Sequence, residues 1–401
     1  MMTSYHRRCY LYPEDAYSMA VVKLGSGSNL LGYYMYHGGT NPESRWTPAD
    51  TFARPYDGDS RVYLNESQRC AATNYNDLPV MTYDFQAPLG EFGQINPHYY
   101  LLRKLHMFMS DFGEELAPME ATFTNPQEIK KGQDDFLRWA YRSRGESAFV
   151  FINNYERLQN LSAKSDTRFD VCGVQFPSKP VTIPSGTICI FPVNVAGLHY
   201  ATAQLIARRD GNVFMQQITG IPTELCFEGG KTMKNVKPRG IEQPVYTAKD
   251  GTRYYLVDGE TAGRLFMEIT NASDVSSPVP FHKLREAGPL RTITIGAKNV
   301  AEEPLDKDFD QAAVYTIDLT EKRGLLTINY QGDCARLYAN GRLIDDNFYN
   351  GRPFLYGLWR LPAEVSQLEL RILPIQSNMP VYFPQEADTT PGEKVVSIFV
   401  E

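Results

Sequence analysis

Val314-Tyr315-Thr316-Ile317-Asp318-Leu319 changes character at every step, with Val314, Thr316 and Asp318 set against Tyr315, Ile317 and Leu319. Successive side chains of a strand leave on opposite faces, so this period of two predicts a strand with one face covered. Leu368, Leu370 and Ile372 repeat the pattern, and Asn340-Gly341 between them is a two-residue hairpin signal. Together they predict antiparallel β-sandwich structure over the last hundred or so residues. Upstream, Asp250-Gly251 predicts a hairpin between Val245-Tyr246 and Tyr254-Tyr255-Leu256-Val257. Pro184-Ser185-Gly186 predicts a turn between Val181-Thr182-Ile183 and Ile188-Cys189-Ile190-Phe191, and Phe149-Val150-Phe151-Ile152 predicts a buried strand. From residue 114 onward the chain therefore reads as β, least clearly between 205 and 310, where Gly, Lys and Pro gather around 229–244.

The first 113 residues read differently. Pro13-Glu14-Asp15 is a helix start, with Pro in the first turn and acids at the positive end of the dipole. Tyr17, Ala20, Val21 and Leu24 follow at helical spacing, with Gly25 placed to cap. Leu30 to Tyr36 is near-continuously apolar and aromatic, which predicts a strand covered on both faces. A connection of about sixty residues follows, well beyond ordinary loop lengths. Asn96-Pro97 then marks a helix start, and Leu101, Leu105, Phe108 and Phe112 form a stripe that ends at Gly113.

Composition narrows the function. The 401 residues carry a formal charge of −7, which argues against a nucleic-acid partner. They are 42% hydrophobic and 22% charged, enough to bury a core. No apolar run is long enough for a membrane span, and MMTSYHRRCY lacks the apolar stretch of a signal peptide. The 25 Tyr and 21 Phe suit both sheets and sugar-binding surfaces. Cys9, Cys70, Cys172, Cys189, Cys226 and Cys334 include no CxxC pair, and neither a phosphate-binding glycine motif nor a metal-ligand cluster is present, so no cofactor and no metal are expected. A Cys172–Cys189 bridge between neighbouring strands is open from the sequence. Asn65-Glu66-Ser67, Asn160-Leu161-Ser162 and Asn271-Ala272-Ser273 match the glycosylation sequon.

Three motifs stand in order: Tyr34-Met35-Tyr36-His37-Gly38-Gly39-Thr40-Asn41, Tyr83-Asp84-Phe85-Gln86-Ala87-Pro88-Leu89 and Tyr99-Tyr100-Leu101-Leu102-Arg103. In sequence and spacing they resemble glycoside hydrolase family 35, the β-galactosidase family. Phe149 to Tyr155, Tyr200 to Gln204 and Leu337 to Gly341 extend the likeness towards the C-terminus. The resemblance implies α/β plus all-β structure. Residues 1–113 would be the C-terminal end of a (β/α)8 TIM barrel, with Leu30–Tyr36 its last strand. Residues 114–205 would be a small β domain, 206–310 a β-rich linking region, and 311–401 the completion of a jelly-roll, galactose-binding-like β-sandwich.

The implied activity is retaining hydrolysis of terminal β-galactosides, which uses two carboxyl groups flanking the scissile bond. Tyr5-His6-Arg7-Arg8 resembles the segment just after the family's nucleophile, which places both catalytic glutamates upstream of this sequence. The chain is thus expected to be the C-terminal portion of a larger, exported hydrolase and inactive by itself. The alternative is a non-catalytic carbohydrate-binding or scaffold module. Either way the expected partner is a galactoside or oligosaccharide. The resemblance makes Tyr34, His37, Asn41, Tyr83 and Phe85 the candidate sugar contacts. Phe85 stands where the family commonly has a second Tyr, and Gln86 where it has Asp, so one hydroxyl and one charge are lost. His37 reads equally as a polar strand end. Glu14 and Asp15 read as helix-dipole acids, Asp84 as a turn residue and Glu91 as structural. Gly38-Gly39 reads as accommodation for a tight turn. Tyr338, Tyr349 and Trp359 are packing residues first and stacking candidates second.

Overall fold

The structure is a computed structural model that describes residues 3–41, 43–44, 62–63, 79–124, 128–267, 276–296, 299–319 and 324–401. Cys70 and the sequons at Asn65 and Asn271 lie outside the described residues. The protein is mostly β, with several antiparallel sheets and few helices. It divides into two compact units. One comprises Met1–Leu11, Tyr34–Asn96 and Thr270–Glu401, and the other Tyr12–Tyr33 and Pro97–Ile269.

The first unit is built on a β-sandwich. A five-stranded sheet runs in the order Phe281–Arg285, Ala313–Asp318, Gln367–Ile372, Cys334–Ala339, Arg342–Phe348. A four-stranded sheet runs Ser277–Pro278, Lys394–Val400, Leu325–Gln331, Phe354–Gly357. The alternation at 314–319 does what its period requires. Tyr315 and Ile317 face Leu370 and Leu368 across the ladder. They meet Leu326, Ile328, Phe354 and Ile398 of the other sheet in one buried cluster, while Asp318 is exposed. Asn340 and Gly341, at φ 50° and 76°, form the hairpin turn the sequence asks for.

The second unit carries two long helices and one short helix, Gly259–Arg264, with its sheets. Helix α1 spans Pro13–Gly25, and its start is held by Asp15, which accepts the Tyr12 N–H at 2.9 Å. Gly25 is its last residue rather than a cap beyond it. A Cβ there would sit 2.8 Å from Phe151 Cβ, so the glycine serves close approach to the sheet. Helix α2 spans His98–Leu116, with Pro97 in the capping position that Asn96 was expected to fill. Asn96 instead donates to the Ala87 carbonyl at 2.6 Å. The buried stripe of α2 is Leu102, Leu105, Phe108 and Phe112, shifted from the expected Leu101, and it runs past Gly113. Phe108 meets Phe149 edge-on at 5.2 Å. Phe149 lies in a seven-stranded antiparallel sheet whose central strands are Ser147–Asn153 and Ile188–Val195. The buried Arg142 guanidinium donates to Leu24 O, Ala117 O and Met119 O, so one cation serves the carboxyl ends of both helices.

Two expectations are corrected. Leu30–Tyr36 is not a strand: it runs irregularly into a turn at Tyr34-Met35, and Leu30 is 88% exposed. No described strand lies beside it, and an extended segment without a ladder partner leaves its N–H and C=O groups to solvent. No TIM-barrel remnant is present among the described residues. The turn at 184–186 forms between its two strands as expected, but they do not pair with each other. The strand before it pairs within a two-stranded ribbon and the strand after it with Ser147–Asn153. Cys172 and Cys189 are both unbridged thiols. A hairpin forms around Asp250-Gly251, but with a longer loop than the two-residue turn expected, its turn closed by Gly251 N donating to Ala248 O at 3.1 Å.

Within the sandwich unit, the fully buried Arg8 pairs with Asp333 at 2.5 Å. Removing one partner of such a pair strands a buried charge and typically costs about 3–5 kcal/mol, whereas replacing both with apolar groups does not. Arg8→Met should therefore lower the denaturant midpoint sharply, and adding Asp333→Leu should recover only the part due to the stranded carboxylate, because the carbonyls of Tyr5, Asp333 and Tyr349 still lose their donor. Equal destabilisation of single and double variants would show that the ion pair is not the constraint.

Candidate functional site

Two of the quoted motifs, separated in sequence by the long loop, are interlocked in the sandwich unit. Gly38 N donates to Leu89 O at 2.8 Å, Leu89 N to Tyr36 O at 3.0 Å, Tyr83 N to Gly39 O at 2.8 Å and Asn41 N to Met81 O at 2.7 Å. The glycine pair makes this possible. A Cβ on Gly38 would lie 2.8 Å from Asp84 Cα, and one on Gly39 would lie 2.3 Å from the Tyr83 ring. Gly38 therefore serves close backbone approach and Gly39 makes room for the Tyr83 ring, rather than the tight turn the sequence suggested.

The loop opposite is held under strain. Phe85 and Gln86 both have φ near 50°, a region that side-chain-bearing residues seldom occupy. Asp84 secures them, accepting Gln86 N at 3.1 Å and Glu91 N at 2.6 Å. Gln86 turns its amide away, accepting Leu11 N at 2.8 Å and donating to Cys9 O at 2.9 Å. At its other end the loop is gripped by one carboxylate. Asp346 accepts Val80 N at 2.6 Å, Met81 N at 2.8 Å and Thr82 N at 3.1 Å.

Of the residues expected to touch sugar, three come together. The Tyr34 ring lies 5.9 Å from Phe85, and the Tyr83 ring 6.1 Å from Phe85 on centroids. Tyr34 is 64% exposed while Phe85 is buried, so the group presents an aromatic face on a packed base. His37 is exposed, with its Nδ1 turned to the Gly38 carbonyl. Asn41 is buried and donates to Val80 O at 3.3 Å, a backbone-holding position. Of the C-terminal aromatics, Tyr349 belongs to the sandwich core. Tyr338 is half-buried under the Arg371 guanidinium, and Trp359 is 56% exposed beside Phe92.

Beside this group is a cavity of about 100 Å³, lined among others by Thr82, Asp84, Phe85, Glu91, Asp345 and Asp346. Glu91 is buried, accepts the hydroxyls of Thr40 and Thr82, and faces Arg360 at 3.5 Å. Burial pushes its carboxyl up to about 7; the two threonine bonds oppose that, Asp84 adds to it and Arg360 opposes it. Asp345 is raised well above the usual carboxylate range, first by burial and then by the charges of Glu91 and Asp346. Asp346 is raised by burial against the opposing pull of Arg336 and its three backbone bonds. Sequence reading missed this acid group. One signal was there: two consecutive aspartates in a strand send one carboxylate to each face, so one of Asp345 and Asp346 had to enter the fold. Among the described residues no His, Cys, Asp or Glu cluster has the geometry to hold a metal ion, and no helix is long and apolar enough to cross a membrane.

No family model matches the sequence. Among solved structures, the chain is similar to a rhamnosidase from Novosphingobium sp. PP1Y, at 14% identity and a TM-score of 0.19. The match covers 74% of this chain and 26% of the rhamnosidase, so the chain spans about a quarter of that protein's length. A superposition that loose says nothing about this chain's activity.

The Glu91 carboxyl sets a pH dependence. Its folded value of about 7 exceeds the ordinary 4.5, so the folded chain holds this proton more tightly than the unfolded chain. The resulting stabilisation is complete below pH 4.5 and is lost as pH rises through 7. Glu91→Gln keeps the neutral form at every pH. Its melting temperature should match wild type near pH 4.5 and gain on it until pH passes 7, where the difference levels off at the equivalent of about 3 kcal/mol. A gap between the two proteins that stays constant with pH would refute the assignment.

Proposed function

We propose that this chain is the carbohydrate-recognising, C-terminal portion of a β-galactosidase-like glycoside hydrolase, and that it supplies sugar contacts rather than the catalytic acid pair. The observation that carries this reading is the interlock of residues 36–41 with 81–89. The two motifs that resemble family 35 are the ones whose backbones close on each other, and the contact leaves Tyr34, Tyr83 and Phe85 grouped. An exposed tyrosine over a buried ring suits the apolar face of a pyranose, and its hydroxyl suits the polar edge. With Phe at 85 the platform stacks more and hydrogen-bonds less than the family's pattern.

In this reading the substrate is a terminal β-galactoside, and the parent protein acts outside the cytoplasm. The two carboxyl groups that retaining hydrolysis needs come from outside these residues. Tyr34 and Tyr83 orient the ring, and the Gly38-Gly39 contact holds the platform in place.

Hydrolysis of a chromogenic β-galactoside, measured for this chain and for a version extended upstream in frame, tests the proposal. Activity should appear only in the extended protein. Tyr34→Ala in that protein should raise KM several-fold more than it lowers kcat, because a stacking contact made equally in ground and transition states is uniform binding. Turnover by the chain as given would overturn the division of labour. Sugar binding with no turnover in either version would point instead to a non-catalytic binding module.

A further inference from the structure

The wall of the cavity beside the aromatic group includes Asp345, one of whose carboxylate oxygens the fold does not use. Asp345 is 1% exposed and lines the cavity. Its Oδ1 accepts the Asp346 N–H at 2.8 Å, but its Oδ2 is fully buried and has no hydrogen-bond partner among the described residues. Its neighbours are committed elsewhere. Asp346 is filled by three backbone N–H groups, and Glu91 by two hydroxyls and Arg360. Asp84 holds the strained turn. The cations at the margin are paired as well, with Arg352 donating to Asn96 Oδ1 at 2.7 Å and Arg360 turned to Glu91. A buried acceptor left unmade is costly, and sequence change could remove it by placing an apolar side chain at this position.

We propose that the cavity takes the hydroxyl-bearing edge of a neutral sugar, with Asp345 Oδ2 as the group that binds it. This rests on the carbohydrate reading above and assigns that reading a second contact surface. A hydroxyl can donate to Oδ2 or accept from it, so it satisfies the atom in either protonation state. Phe85 and Phe92 line the same space and offer apolar walls for ring C–H groups. An anionic ligand would face four carboxyl groups. A metal ion lacks a ligand set here, since no described cluster has the geometry for one. A neutral polyhydroxylated ring edge is the chemistry that remains.

The test uses the full chain with methyl β-galactoside as the probe. On titration, the backbone amide signals of residues 82–84 and 345–347 should shift together. Asp345→Ala should weaken binding by about tenfold, the equivalent of one hydrogen bond to a charged or strongly polar group. The same variant also loses the Oδ1 acceptor of the Asp346 N–H, so its melting temperature without sugar checks only that it folds. If Asp345→Ala binds as wild type does while Tyr34→Ala does not, the cavity assignment fails and the aromatic platform stands. Loss of binding in neither variant, or no binding by wild type, overturns both. If Asp345→Ala does not fold, the amide map of the wild-type chain decides. Shifts confined to residues 34–40 would mean that the cavity holds only water.

Discussion

A single buried guanidinium organises the sandwich unit. Arg8 has no contact with solvent worth the name, and nearly all its donors are used. Nε donates to Tyr5 O at 3.1 Å, Nη1 to the Asp333 carbonyl and to Tyr349 O at 3.2 Å, and Nη2 to the Asp333 carboxylate. The rings of Tyr5 and Phe383 stack within 5 Å of its carbon, so the charge sits in an aromatic box closed at one end by an acid. Asp333 and Tyr349 bracket the hairpin Cys334–Ala339 and Arg342–Phe348 at its open end, and Tyr349 N closes on Asp333 O at 3.1 Å. Arg8 therefore ties the two feet of that hairpin to the first residues of the chain.

The rest of the site depends on where that hairpin stands. Its second strand carries Asp345 and Asp346. Asp346 captures three successive N–H groups of residues 80–82, which fixes the start of the loop. The loop then meets residues 36–41 across the glycine pair, and Thr40 and Thr82 close on Glu91 from either side. Each link is local and short, but the order is strict. Moving the hairpin by one residue would exchange the faces of Asp345 and Asp346, remove the loop's anchor and break the acid group apart.

What the sequence made legible was what local chemistry decides. The hairpins at Asn340-Gly341 and Asp250-Gly251 follow from turn residues that tolerate positive φ, and the strand at 313–318 follows from its period of two. Helix α1 follows from Pro13 and the acids beside it. Leu30–Tyr36 misled because a short apolar run has no period to decide its conformation, and pairing partners decide it instead. Within the site, the grouping of Tyr34, Tyr83 and Phe85 was anticipated only through the resemblance. Glu91 was read as an ordinary structural acid because its character comes from Thr40, Thr82 and Arg360, none of them near it in sequence. A pKa raised by burial has no local signature.

The same facts decide what kind of chemistry the acid group can perform. A retaining glycosidase needs one carboxylate free to attack an anomeric carbon and a second free to protonate the leaving oxygen, about 5–5.5 Å apart across an open site. Glu91 is buried with both oxygens engaged by hydroxyls and with a guanidinium at 3.5 Å, which leaves no unoccupied face for attack. Asp346 is fully used in holding backbone. Asp345 has an unused oxygen, but that oxygen is fully buried and the space its residue lines is only about 100 Å³. A pyranose can bring an edge hydroxyl there, but not its anomeric centre together with an aglycone and a water. Burial raises the carboxyls of both Glu91 and Asp345, which weakens them as standing nucleophiles at neutral pH.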